Sequence, residues 1–139
     1  MKHETTFEGA QTQTNLTRSR IGIIGIHAFI GWALCTATMV IGMATMSIEN
    51  ALIVHAVGAP IIFTAVSLSY FKRYNYTSPL ATAEIFVGFV IFMDFFLVSM
   101  LVMKSFEMFT SLLGTWIPFT LIFISTAVTG LLINKGSKK

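Results

Sequence analysis

Four runs of roughly 20 apolar residues, each the length that crosses a bilayer, limit this 139-residue chain more than any other feature. Short polar segments separate the runs and hold nearly all of the charge. Only 11% of residues are charged, against the roughly 25% usual in soluble domains, which excludes an ordinary soluble globule. The expected fold is all-α: a polytopic membrane protein built as an antiparallel four-transmembrane-helix bundle. Its spans cover about 21–46, 51–71, 80–103 and 112–133, forming one transmembrane domain over 21–139.

Residues 1–20, rich in Thr and Gln and without apolar periodicity, read as a disordered polar tail. The run starting at Ile21 is longer than a signal-peptide core and follows a neutral leader, so it reads as a retained span. Ser47-Ile48-Glu49-Asn50 is short enough to force a tight reversal between the first two spans. Ahead of the third, Ser78 suits a helix cap and Pro79 the first helical turn.

The net charge of +3 does not point to nucleic acid, because the basic residues flank the spans. Lys2, Arg18, Arg20, Lys72, Arg73, Lys135, Lys138 and Lys139 fall on one predicted side, and Lys104 alone on the other. That asymmetry assigns both termini to the cytoplasm. The two Asn-X-Thr glycosylation patterns, at Asn15 and Asn75, then lie on the cytoplasmic side and carry no sugar. A chain with these features suits a prokaryotic inner membrane, with the lipid bilayer as its main partner.

Small and hydroxyl residues within a span mark where helices touch one another. His27, Gly31, Thr38, Gly42 and Thr45 form such a stripe on the first span, and His55, Gly58, Ala59, Val66 and Ser69 on the second. Gly114, Pro118, Ser125 and Thr129 align on the fourth. Pro60 and Pro118 each remove a helical hydrogen bond and are expected to kink their spans. Gly58–Thr64 and Gly114–Thr120 share Gly, Ile, Phe and Thr at the same spacing. A duplicated hairpin would produce that, but the first and third spans show no match at the same offset.

Ionisable side chains inside the membrane cost about 2.5–3.5 kcal/mol unless paired, neutral or hydrated. Counted at 1.5 Å per residue from the cytoplasmic side, His27 and Glu84 lie roughly 9 and 6 Å deep, and Asp94 and His55 roughly 21 and 24 Å. They are therefore expected as an inner and an outer carboxylate–imidazole pair, marking a path for substrate or protons. Cys35 reads as a core residue, since one cysteine builds neither a disulfide nor a thiolate cluster.

No cofactor or metal is expected. His27 and His55 differ in depth by roughly 15 Å, too much for one haem, and the Glu-x-x-His and His-Glu-x-x-His motifs are absent. Three functions fit the polar seam. One is translocation of protons, ions or a small solute, by a single bundle or a homo-oligomer. Another is an enzyme or binder for a lipid-like or sterol-like molecule, with Asp94 and His55 as acid and base. The third is a non-catalytic subunit whose charges pair with another membrane polypeptide.

Overall fold

An apolar chain out of water satisfies its backbone most simply by coiling into helices, and nearly every described residue of this protein is helical. The computed structural model describes residues 2–97, 110 and 112–137. Helix α1 runs over Lys2–Thr45, α2 over Ile48–Arg73 and α3 over Pro79–Met93. A π-helical turn, Leu112–Trp116, leads into α4, Ile117–Ser137. Four helices are long and apolar enough to cross a membrane. The last part of the expected third span, 98–103, and Lys104 lie outside the described residues.

Local chemistry explains the helix starts. The Ser47 hydroxyl accepts from the Asn50 N–H, and the Ser78 hydroxyl from the Ala81 N–H, each capping an orphan donor. Pro79 occupies the first turn of α3, where its missing N–H costs nothing. Between α2 and α3, Asn75 adopts a positive φ of 48°, a conformation asparagine tolerates better than most residues.

One expectation is corrected. In place of the disordered tail expected over 1–20, helix α1 begins at Lys2 and continues unbroken into the first span. The segment contains no proline, and a helix already nucleated by the apolar run adds one hydrogen bond per residue. Where side chains are described between 9 and 20 they are exposed, so the extension is helical without packing on the bundle.

Helices α1, α2, α4 and α3 follow one another around a ring, and the α2–α3 connection crosses its diagonal. Small residues set the approach of neighbours. A Cβ added at Gly31 would fall 2.7 Å from Phe63 Cζ, and one at Gly42 would fall 3.0 Å from Ala51 Cβ. Between α2 and α4, Ser67 meets Thr126, Phe71 meets Gly130 and Asn75 meets Asn134, each pair 59 positions apart. The core is aromatic: Phe63, Tyr70 and Phe86 are fully buried, with ring centroids 5.8 Å (Phe63–Phe86) and 6.2 Å (Tyr70–Phe86) apart. The exterior is as apolar as the interior, since Ile21, Ile61 and Leu132 are each 65% exposed.

Candidate functional site

Where α3 ends, its backbone widens into a π-helical turn over 94–97, and Asp94 stands at the start of that turn. The second π-helical turn contains Gly114. Both residues line one cavity between the four helices, a placement in keeping with the tendency of such turns to occur at functional sites. The cavity measures about 80 Å³, enough for a few waters at roughly 10–15 Å³ of probe volume each. Trp32, Cys35, Met39 and Met43 of α1, His55 of α2 and Asp94 of α3 supply its chemically distinctive wall. Val90, Pro118, Phe119 and Ile122 complete the apolar side.

Asp94 is held in place by α1: its Oδ1 accepts a hydrogen bond of 2.8 Å from Trp32 Nε1. An indole can only donate, so this contact suits a carboxylate oxygen and fixes where the acid points. His55 faces the same cavity. Its Nδ1 is buried without a hydrogen-bond partner among the described residues. Cys35 is 4% exposed. The expected outer pair thus shares a cavity, but Asp94 and His55 are not hydrogen-bonded to each other.

The expected inner pair is not brought together. His27 is half-buried and donates from Nδ1 to the Ile23 carbonyl at 2.8 Å. Its ring packs edge-on against Tyr70 and Tyr74, with centroids 5.6 and 5.5 Å away. Glu84 is exposed on α3 and makes no ion pair with His27. A carboxylate so near the helix start needs no intrahelical partner if it reaches the headgroup zone.

Beside His27 lies a chain of hydroxyls whose direction can be derived. Thr82 Oγ1 donates to the Ser78 carbonyl at 2.9 Å. It must therefore accept from Thr77 Oγ1 at 2.6 Å, which in turn accepts from the Tyr70 hydroxyl at 2.9 Å. The chain ends on a carbonyl, which has no proton to pass on, so it ties α2 to α3 and conducts nothing. Phe63, packed on Gly31 next to Trp32, and Phe86, packed on Tyr70, stand between this cluster and the cavity.

The two prolines occupy neighbouring levels. With α2 and α4 paired 59 positions apart, Pro60 lies level with Phe119, one residue from Pro118. Pro118 has no N–H to offer the Gly114 carbonyl, and the π-helical turn lies where that bond would close. On α2, Thr64 Oγ1 donates to the Pro60 carbonyl at 2.6 Å.

Trp32, Met39 and Met43 line the cavity without having been expected there, while Cys35, expected as core, lies in the core cluster and also borders the cavity. The available signal was their spacing: positions 32, 35, 39 and 43 recur at intervals of three and four, one face of a helix. Among the described residues, no three His, Cys, Asp or Glu side chains are grouped to hold a metal. Comparison with protein families, curated proteins and solved structures finds no match, so function has to be read from this geometry.

Proposed function

We propose that this chain is an integral membrane protein that passes a proton or small cation across the bilayer through its bundle, with both termini cytoplasmic. The observation that carries the reading is the meeting of Asp94 and His55 on one internal cavity. Ionisable groups inside a span that turn inward onto a space large enough for water mark ion and proton pathways.

Several contacts support the arrangement. Gly42 meets Ala51, Gly31 meets Phe63 and His27 meets Tyr70, so positions rise on α1 as they fall on α2. That supports antiparallel neighbours, while the constant offset between α2 and α4 supports parallel ones. Arg20 lies over the Tyr76 ring at 5.2 Å, and Asn75 Nδ2 donates to Asn134 Oδ1 at 2.9 Å. These ties gather Arg18, Arg20, Lys72, Arg73 and Lys135 at one end, in keeping with a cytoplasmic face.

The cavity size bears on the alternatives: an engineered cavity of about 150 Å³ holds one benzene, so a space of about 80 Å³ favours water or a small ion over a sterol-like substrate. The subunit reading is favoured by one observation, the exposed Glu84, which a basic or polar group of another membrane chain or a second copy would satisfy.

Reconstitution into proteoliposomes tests the proposal. Proton or monovalent cation flux should exceed that of empty vesicles, fall at least tenfold in Asp94→Asn, and rise in Phe63→Ala, which thins the aromatic layer below the cavity. Flux equal to empty vesicles for the wild type and for Phe63→Ala rejects translocation.

A further inference from the structure

We propose that the basic rim of the bundle, formed by Arg18 and Arg20 of α1, Lys72 and Arg73 of α2 and Lys135 of α4, binds the headgroups of anionic phospholipids. This goes beyond the translocation reading: it needs the helices to cross a bilayer and needs no transport.

The argument starts from a pattern repeated on three helices. Arg18, Lys72 and Lys135 are exposed, and one turn deeper on the same helices lie Ile21, Leu68 and Leu131, which are exposed as well. Residues three or four apart are neighbours on a helix surface, so each cation stands directly above a bare apolar side chain. A molecule that satisfies both must carry an anion and a hydrocarbon chain. A phospholipid does so, whereas free phosphate or an acidic protein would use the cations and leave the apolar side chains uncovered.

The bundle brings these cations to nearly one level. The pairs Gly31–Phe63 and Gly42–Ala51 set a register in which Arg20 meets the end of α2 at Arg73. The offset of 59 positions between α2 and α4 places Arg73 level with Leu132, three residues or about 4.5 Å short of Lys135. Packed helices lie about 8–10 Å apart, so a headgroup over the α1–α2 or the α2–α4 seam stands between cations of two helices. The Arg20–Tyr76 contact and the Asn75–Asn134 bond hold this rim together, and Tyr76, 40% exposed, offers an amphipathic ring at headgroup level.

Nothing nearby neutralises the rim. Among the described residues none of the five cations has an ion-pair partner. Glu8 precedes Arg18 by ten helical residues, about 15 Å, which exceeds the Debye length of about 8 Å. Helix α3 breaks the pattern, because one turn below the exposed Leu80 comes a carboxylate, Glu84, also exposed. The anionic shell therefore covers α1, α2 and α4 and stops short of α3.

The full chain, stripped of lipid in detergent, is titrated with phosphatidylglycerol and with phosphatidylcholine and followed by native mass spectrometry. Each base near a membrane surface adds roughly fivefold to the affinity for anionic lipid, and a seam offers at least two, so phosphatidylglycerol should bind at least tenfold tighter. Arg18→Gln/Arg20→Gln and Lys72→Gln/Arg73→Gln should each cut that preference at least fivefold with unchanged helical circular dichroism. Lys2→Gln, about 27 Å from Arg20 along α1, should leave it intact. Equal affinity for the two lipids overturns the proposal, as does a preference unaltered in both double variants or lost in Lys2→Gln. Displacement of the lipid by inorganic phosphate or by poly-glutamate overturns it too, because either would show that the apolar side chains take no part. Anionic preference without flux removes the translocation reading alone, while flux without that preference removes this one alone.

Discussion

Gly130→Ala offers a direct measure of how tightly α2, α3 and α4 are packed. A Cβ added at position 130 would lie 2.6 Å from Phe71 Cζ and 2.7 Å from Pro79 Cβ, while carbon atoms in good contact are about 3.5–4.0 Å apart. Neither neighbour yields easily, because Phe71 is 3% exposed and the Pro79 ring is fixed in the first turn of α3. Overpacking of this kind costs about 1–3 kcal/mol. Replacing a helical glycine by alanine returns up to about 1 kcal/mol through propensity, so the net loss is about 0–2 kcal/mol. Gly88→Ala isolates the steric part, since Gly88 also lies within a helix but a Cβ there meets nothing within 4 Å. Unfolding in mixed micelles, followed by circular dichroism as sodium dodecyl sulfate is raised, should find Gly130→Ala less stable than Gly88→Ala by about 1–3 kcal/mol. Equal stabilities would refute the close three-helix contact, as would a more stable Gly130→Ala.

Two further outcomes use the same unfolding assay. Tyr70→Phe removes the first donor of the hydroxyl chain and should cost about 0.5–1.5 kcal/mol, while leaving proteoliposome flux unchanged; a fall in flux would contradict a chain that ends on the Ser78 carbonyl. Ser67→Ala and Thr126→Val each break the buried 3.2 Å contact between α2 and α4. In a double-mutant cycle they should couple by about 0.6 kcal/mol, the average for such bonds within membranes, and a coupling of zero would mean that the two hydroxyls do not bond.

What the sequence disclosed, and what it hid, follows from how a helix looks in an apolar solvent. The four long apolar helices were legible because apolar length is a one-dimensional quantity, and the cap at Ser78 because capping is local. Facing is a different matter. In water an amphipathic stripe reveals the buried side of a helix, but here Ile61 outside and Phe63 inside are equally apolar. Only small residues betray a contact, and Gly31 and Gly42 did so correctly. The order α1, α2, α4, α3 around the ring was not legible, because a short connection permits either a neighbouring or a diagonal third helix.

The same reasoning explains the uneven fate of the four ionisable residues. Glu84 and Asp94 carry the same functional group on one helix, yet depth separates them. Close to the helix start a carboxylate can point outward and seek the headgroup zone, whereas fifteen residues beyond Pro79 the bilayer offers nothing and Trp32 must supply the donor. Composition scales count Trp and Met as compatible with lipid, so Trp32, Met39 and Met43 drew no notice, and Cys35 was legible only as core, although all four border the cavity. In a membrane bundle, soft and aromatic residues at helical spacing therefore merit the same scrutiny as buried charges, because they alone can line an internal site without obstructing insertion of the helix that carries them.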